Sequence, residues 1–505
     1  MDGLDESPAD AGREHGNPSP LGESLTERSP DRRADLGSDP GDRFGTIFSD
    51  EDDLGLGNPG PEALKELERR LIRTAKHSTG NPWVPAGYTY LGQFIDHDIT
   101  FDPTSRLDRD NEPTRLVNFR TPRFDLDSLY GHGPLDQPYL YDGDPPRRGM
   151  KKLRGVKLLV GSNEVDGTKV DDLPRNAQDR ALIGDPRNDE NVIVSQLQLL
   201  FIHFHNKVID HLLDTSPGLS REELFDEAQR LVRWHYQWIV VHDFLPKIVG
   251  RKMAESVLRP GVGGAAPTVH RKFFHFGDKP FMPVEFSAAA YRFGHSMVRD
   301  NYVLNDGTDA VSLFGPAPRR ARSLVGRRPL RPDLVIEWEH FFDTKGPPVN
   351  RSMRIDPFLA APLRHVPPTG RALAALNLER GVRLKLPAGR AVAKKMHHEP
   401  LTREQLLEPL QEPLHGIDKE IGDALLHATP LWYYVLCEAA SSLGLNGLRL
   451  GPVGGRIVAE VLVGLLEGDP QSYLHKRPPW KPELPSATAG DFTMPDLVRF
   501  AQGDV

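Results

Sequence analysis

Along most of the chain apolar residues recur at intervals of three and four, the period of a helix with one buried face. Leu64, Leu67, Leu71 and Ile72 make one such stripe in a helix that opens at Pro61, a residue suited to the first helical position. Leu197, Phe201, Phe204, Val208 and Leu212 mark a second helix from about Asn191 to Asp214. The run EELFDEAQRLVRWHYQWIVVHDFLPKIVG carries a third from Arg221 to about Val249, closed by glycine. Shorter helical patterns cover Ser287 to Met297, Arg403 to Glu408, Leu431 to Leu443 and Arg456 to Leu466. Two-residue alternation is brief, at Lys157 to Val160 and Leu334 to Trp338. From Asp102 to Val165 the text is dense in Pro, Gly, Asp and Arg, as in DPTSRLDRDNEPTR and YDGDPPRRGMKKLRG, and reads as loops too long to be idle connectors. There is no internal repeat. The pattern predicts a mainly α fold: one large helical domain over residues 56–505, with long loops and little β-structure.

One stretch breaks the pattern. In YLGQFIDHDITFD, Tyr90 to Asp102, the ionisable residues Asp96, His97 and Asp98 lie among Leu91, Phe94, Ile95, Ile99 and Phe101. Buried charge is costly unless it is paired, ligated or used. A plain core helix would carry none of it, so this stretch is where chemistry is expected.

Composition narrows the class of chemistry. The net charge of −8 and the absence of a long Lys/Arg block argue against nucleic acid as a partner. With one cysteine, Cys437, an intrachain disulfide, a CxxCH haem attachment and a four-cysteine zinc site are all excluded. No run of about 18 apolar residues suggests a membrane span, and the N-terminal text lacks the apolar core of a signal peptide. A cytoplasmic location, or secretion without a signal peptide, is the expectation. Residues 1–55, rich in Asp, Glu, Pro, Ser, Gly and Arg, read as a disordered, solubilising tail.

Three separated segments carry further candidates. GDPRNDE sets Arg187 and Glu190 three apart at the entry to the Asn191 helix, which on its own describes a cap with an ion pair. AAAYRFGHSMVRDNY sets His295 on a face of small residues, Ala288, Ala289, Ala290 and Gly294, where a flat, bulky object could approach the backbone. His97 alone reads as an ordinary core histidine. Each signal is weak in isolation.

Their order changes that. GQFIDHD, DLDSLYG, GDPRNDE, LFIHFHNKV, YRFGHSMV, LNLERG and GPVGGRIVAEVL together resemble the animal haem peroxidase family, the peroxidase and cyclooxygenase superfamily, from about Asn58 to Phe500. Its prokaryotic members, which lack the disulfides of the secreted animal enzymes, are the nearer match to a chain with one cysteine. The resemblance implies a mainly helical fold around haem b, with His295 as the proximal iron ligand and Asn377 as the partner that orients its second nitrogen. Arg292 and Arg380 match residues that pair with haem propionates. On the opposite face His97 matches the distal histidine that shuttles a peroxide proton. Arg187 matches the distal arginine and Gln93 a residue that holds water or a halide. Asp96 and Glu190 match carboxylates that form esters with haem methyl groups in family members; Asn191 and Val192 exclude a third, sulfonium link.

The resemblance also brings one calcium ion, and the spacing suits it. Asp98 is followed by TPRFDLD, where Thr121, Arg123, Asp125 and Asp127 stand two apart, so alternate residues of an extended loop would aim oxygens at one hard cation. Arg123 would contribute its backbone carbonyl. Asp127 stands where the animal enzymes commonly have Ser.

The implied activity is reduction of hydrogen peroxide with oxidation of a small anion, halide or thiocyanate, or of an aromatic donor. Oligomeric state is not legible. Fatty-acid dioxygenases of the superfamily carry a catalytic tyrosine three residues before the proximal histidine; Arg292 holds that position here and Tyr291 the one before. A metal-dependent phosphohydrolase built on His97-Asp98 and His242-Asp243 would leave Arg187, His295 and Asn377 unexplained, and a non-catalytic haem binder would leave the His97 and Arg187 pair so. His203 and His205 read as structural, and His397 and His398 as exposed loop residues.

Overall fold

The computed structural model describes residues 44–49, 52–74, 79–101, 118, 120–315, 322–344, 346–367, 369–411 and 416–503. Among these residues helices dominate, and strands occur only as two-stranded ladders. The helices used below are α1 (Pro61–Arg70), α2 (Gly87–Ile99), α3 (Asp127–Tyr130), α4 (Val192–Thr215), α5 (Arg221–Trp238), α6 (Leu373–Arg383), α7 (Leu431–Ala440), α8 (Pro452–Glu467) and α9 (Met494–Gln502). The strands are β1 (Phe44–Gly45), β2 (Gly80–Pro85), β3 (Gly161–Val165), β4 (Thr168–Asp172), β5 (Met282–Pro283) and β6 (Arg351–Met353).

Helix ends fall where caps satisfy free backbone groups. The Asn191 side chain accepts from the amides of Ile193 (3.1 Å) and Val194 (2.9 Å), so α4 starts one residue later. Ser220 and Glu223 form a capping box for α5. The same run widens into a π turn at Ile239–Phe244, then closes over Leu245–Val249 against Gly250 at φ 83°. Ile72, expected on the α1 stripe, lies beyond that helix and pairs with Leu359.

Other expectations shift for identifiable reasons. The Ser287–Met297 helix is instead a short α turn at Val284–Ser287, a break at Ala289, and a 3-10 segment over Ala290–Met297. Side chains three apart eclipse in 3-10 geometry, which aligns Arg292 with His295. Helix α8 begins at Pro452, within GPVGG rather than after it. Glu438 of α7 accepts from the amides of Val453 (2.9 Å) and Gly454 (3.2 Å), and a Cβ on Gly454 would lie 2.6 Å from Val435. Gly454 thus serves close packing of α8 on α7. Arg403–Leu407 and α7 each end in a 3-10 turn, at Glu408–Leu410 and Ser442–Gly444.

Neither expected strand forms where the alternation suggested. The hairpin of β3 and β4 follows Lys157–Val160. Leu334–Trp338 is held instead by one side chain of α4: Gln196 donates to the Leu334 carbonyl (2.9 Å) and accepts from the Ile336 amide (2.8 Å). Residues 141–155 form turns around a 3-10 turn at Lys151–Leu153, as read, whereas DPTSRLDRDNEPTR lies outside the described residues.

The tail expectation needs one correction. Phe44 and Phe48 are buried, β1 pairs with β5, and the amides of Ile47 and Phe48 donate to the Glu285 carboxylate at 3.0 and 3.1 Å. Packed structure therefore reaches back at least to Phe44, and residues 1–43 lie outside the described set.

Helix α2 is the buried centre. Its Phe94 stacks on Phe201 of α4, with centroids 4.7 Å apart, and meets Tyr236 of α5 edge-on. At its start a Cβ on Gly87 would lie 2.5 Å from the Phe341 carbonyl and the Phe342 ring, so only glycine fits. The 3-10 segment with His295 packs against α2, α7 and α8. Among the described residues no helix is long and apolar enough to cross a membrane.

Candidate active site

Two histidines on facing segments define the site. On α2, most residues are fully buried, yet Gly92, Gln93 and Asp96 keep accessible surface on one side. The 3-10 segment does the same at Arg292, Gly294 and His295. Partial accessibility deep in a core marks a cavity wall.

On the α2 side, His97 is 5% exposed. Its Nδ1 lies 2.7 Å from Asn188 Oδ1, and its Nε2 faces Glu190 Oε1 at 4.0 Å. Burial first, and then the Arg187 charge, lower the imidazole below its usual pKa, against the pull of Glu190, Asp185 and Asp96. The ring is thus neutral and free to accept a proton. Gln93 Nε2 donates to Glu190 Oε1 (2.5 Å) while its Oε1 accepts from Asn191 Nδ2 (3.3 Å).

Arg187 is clamped from behind. Asp185 accepts from its amide (2.9 Å), Nε (3.1 Å) and Nη2 (2.7 Å), and Nη2 also donates to the carbonyls of His97 (2.9 Å) and Thr100 (2.5 Å). The Phe101 ring lies 4.7 Å from the guanidinium carbon. Asp185, 0% exposed, also holds Arg120 at 2.7 Å. Burial would raise this carboxyl, but the charges of Arg187 and Arg120 outweigh it and hold it well below the usual range.

On the other side the His295 ring is anchored by the Asn377 amide, Nδ2 to Nδ1 at 2.9 Å. The sequence reading expects the amide oxygen at that place, accepting from Nδ1–H. A half-turn of the same amide, 2% exposed on α6, gives that polarity and leaves Nε2 bare. Burial, then Arg292 and Arg380, lower the ring pKa to about 3, so the imidazole stays neutral as a metal ligand must. Arg292 has its Nε buried without a hydrogen-bond partner, and burial followed by the Arg380 charge brings the group down to about 10. A Cβ on Gly294 would meet nothing within 4 Å.

These features fit haem: a neutral imidazole beside open space, a guanidinium with a buried nitrogen that has no hydrogen-bond partner, and a second polar wall opposite. His295 would ligate iron, and Arg292 and Arg380 would face the propionates.

A second group of buried polar side chains lies beside His97. Asp98, next along α2, has Asp125, Asp127 and Arg120 as its charged neighbours, with the Tyr236 hydroxyl also beside it. Both its carboxylate oxygens and Asp125 Oδ1 are buried without hydrogen-bond partners, while Asp125 Oδ2 accepts from Thr121 Oγ1 at 2.8 Å. Burial, then Asp125 and Asp127, push the Asp98 carboxyl well above its usual range. The Arg123 guanidinium acts on Asp469, which also feels the Asp125 charge. An oxygen-rich cluster of this kind is suited to a hard cation.

Three contributors escaped the sequence reading: Asp185, Asn188 and Phe101. Asp185 could have been found as the residue before a proline-led turn; Asn188 and Phe101 gave no local signal. The other histidines singled out in the sequence can be placed. His205 bonds Tyr130 Oη and the Val156 carbonyl, and His203 faces Asp171 at 3.4 Å. His242 bonds Tyr473 and stacks on Trp238, while Asp243 bonds Tyr88 and Lys247. The His97-Asp98 and His242-Asp243 pairs do not gather: among the described residues the one close group of metal-ligating type is Asp306, Glu337 and His340. His397 is exposed, but His398 is half-buried, a correction to the loop reading.

A family model described as "Animal haem peroxidase" matches residues 103–388, more than half of the 505-residue chain. The chain is 29% identical over 409 residues to the chorion peroxidase of Drosophila melanogaster, covering 75% of this chain and 44% of that protein. Against mouse eosinophil peroxidase it is 26% identical over 292 residues, covering 54% and 36%. The chain spans less than half the length of these curated relatives. Among solved structures it resembles peroxidase A from Dictyostelium discoideum (TM-score 0.60, 17% identity, 89% of this chain and 91% of that one). It equally resembles fatty acid alpha-dioxygenase from Oryza sativa (TM-score 0.60, 17% identity, 90% and 80%). Likeness at that identity shows the fold alone.

Proposed function

Because the chain belongs to the animal haem peroxidase family, we propose that it is a haem-dependent peroxidase that reduces hydrogen peroxide and oxidises a small anion, halide or thiocyanate, or an aromatic donor. The observation that carries this reading is the asymmetry of the two histidines. His295 has its Nδ1 held by Asn377 beside the open space at Gly294, while His97 keeps a neutral imidazole within reach of Arg187. Haem, when bound, supplies the electron transfer between peroxide and donor. The protein moves the proton. His97 Nε2 takes it from one peroxide oxygen and returns it to the other, which leaves as water as the O–O bond breaks, with the two electrons for that cleavage to come from the bound haem. Arg187, its charge fixed by Asp185, favours negative charge on the departing oxygen. Gln93, held by Glu190 and Asn191, lines the same wall for the anion or for water.

The dioxygenase alternative lacks its residue: the position three before His295 is Arg292. Tyr291 is buried, with its hydroxyl about one van der Waals contact (4.0 Å) from a Cβ on Gly92.

Asp96 and Glu190 keep accessible surface on the cavity side, which supports ester links to haem; complete acid-acetone extraction of haem would exclude them. Asp98, Thr121, Asp125, Asp127 and the Arg123 carbonyl are the proposed calcium ligands, on the strength of the partnerless buried oxygens of Asp98 and Asp125.

The test is spectral and kinetic. Protein expressed with haem supply should show a Soret band, lose axial ligation in His295→Ala, and keep haem but react slowly with peroxide in His97→Ala. Well-folded protein without a Soret band would end the proposal; the reverse pattern in the two variants would exchange the two faces. Turnover with bromide, iodide, thiocyanate or a phenol then ranks the donors.

A further inference from the structure

The imidazole of His97 is held in one tautomer by a chain of amides that runs from the cavity to a backbone carbonyl. Gln198 Nε2 donates to the Ser128 carbonyl at 2.8 Å. A carbonyl only accepts, so the Gln198 amide has one allowed orientation, with Oε1 turned toward Asn188. Asn188 Nδ2 donates to that oxygen at 2.8 Å, which turns Asn188 Oδ1 toward His97. Oδ1 also only accepts, and it lies 2.7 Å from His97 Nδ1. The contact therefore requires hydrogen on Nδ1 and leaves the Nε2 lone pair bare on the cavity side, toward Glu190.

Each link is shut off from water: Asn188 is 0% exposed, Gln198 and Ser128 1%, His97 5%. The links come from different parts of the fold, namely α2, the 3-10 turn Pro186–Asp189, α4 and α3. The Ser128 carbonyl is itself fixed, since it also accepts from the Gly184 amide at 2.9 Å. Inverting the tautomer would turn a donor against a donor at one link or break a buried hydrogen bond at each, and every buried polar group left unmade is costly.

We propose that Asn188 and Gln198 are positioning residues for the peroxide reaction, which act through His97 by holding its proton on Nδ1 so that Nε2 always faces the substrate as a base. The inference rests on the reading of His97 as the proton-moving residue. Neither Asn188 nor Gln198 touches the cavity; the effect passes along the amides. An imidazole locked in the wrong tautomer is a base pointed at the wrong partner, which abolishes most of what a positioned base contributes.

Two measurements test this on the full chain. A neutron diffraction map of the deuterium-exchanged wild-type crystal should place deuterium on His97 Nδ1; deuterium on Nε2 overturns the proposal. In haem-loaded protein, the second-order rate of the Soret change with hydrogen peroxide is compared for Asn188→Leu, Asn188→Asp and Gln198→Leu. Asn188→Leu keeps the volume but removes the acceptor, and the rate should fall roughly 10-fold to 10²-fold, a part of the 10² to 10⁴ that a positioned proton-transfer group supplies. Asn188→Asp restores the acceptor and should recover most of the rate, although its buried charge makes it the less stable protein by thermal unfolding. A structural role alone would rank rate with stability. Gln198→Leu should lower the rate less, and add little in combination with Asn188→Leu, because both act on one proton. If His97→Ala slows the reaction and Asn188→Leu does not, the amide chain is irrelevant and the proposal fails while the peroxidase reading stands. If His97→Ala reacts at the wild-type rate, the reading itself is wrong.

Discussion

Replacing Asp185 with alanine tests whether the buried guanidinium pair is organised by one carboxylate. In the folded chain Asp185 accepts from Arg120 Nη2 at 2.7 Å and from Arg187 through its amide, Nε and Nη2. Without it, Arg120 retains only the Gly184 carbonyl at 3.1 Å, since its Nε and Nη1 are already buried without partners. Arg187 keeps the His97 and Thr100 carbonyls but loses its counter-charge. Removing one member of a buried ion pair typically costs about 3–5 kcal/mol, and a double loss here belongs at the upper end. Asp185→Asn, which keeps one acceptor oxygen, should cost about half of that. The peroxide rate should drop roughly 10-fold to 10²-fold, because Arg187 loses its aim but not its charge.

The pH dependence has a definite sign. Burial raises the Asp185 carboxyl, Arg187 and Arg120 more than reverse this, and the folded group sits below the unfolded value. Its contribution is therefore present above about pH 4 and lost as pH falls through the folded value. Guanidinium unfolding of wild type and Asp185→Ala at stepped pH should show a gap that is constant at neutral pH and narrows in acid. A gap under about 1 kcal/mol at pH 7 would refute the reasoning, as would one that does not narrow in acid.

Four further outcomes follow from contacts elsewhere in the fold. Burial raises Glu285 from 4.5 to about 7 against the amides of Ile47 and Phe48, so wild type should lose roughly 3 kcal/mol relative to Glu285→Gln as pH rises across that interval; thermal unfolding against pH reads this, and parallel curves would contradict it. Gly454→Ala ordinarily gains helix propensity, but its Cβ would lie 2.6 Å from buried Val435, so a net loss of about 1–3 kcal/mol is expected in urea unfolding, whereas Gly294→Ala, with nothing within 4 Å, should leave the haem-free protein unchanged and weaken haem uptake. Complete chelation should lower peroxide turnover, with recovery on adding calcium but not magnesium; unchanged turnover in metal-free protein would count against the cation at Asp98.

Much of the fold was legible because its determinants are local. The Asn191 and Ser220 caps lie beside the helices they start, and the three-to-four spacing of Leu197 to Leu212 marks the helix, although Val192 to Ile202 is buried on every side. Where the readings missed, a distant residue had overruled the local pattern. Leu334–Trp338 alternates like a strand, but Gln196, 138 residues away from Leu334, takes two of its hydrogen bonds and Leu304 and Asn305 take two more. The local pattern puts the last long helix at Arg456, after GPVGG, but Glu438, by accepting from the Val453 and Gly454 amides, lets it start at Pro452.

The site divides in the same way. The sequence by itself determined which side chains are present and in what order, and so which chemistry is available: His97, Arg187, His295, Asn377 and the carboxylates of the 121–127 loop. Only the tertiary structure decided what each one does with its protons and charges. Asn188 meets His97 across 91 residues, and Asn377 meets His295 across 82. A buried polar group must find its partner in space, and periodicity along the chain records that a group is buried without recording what it faces.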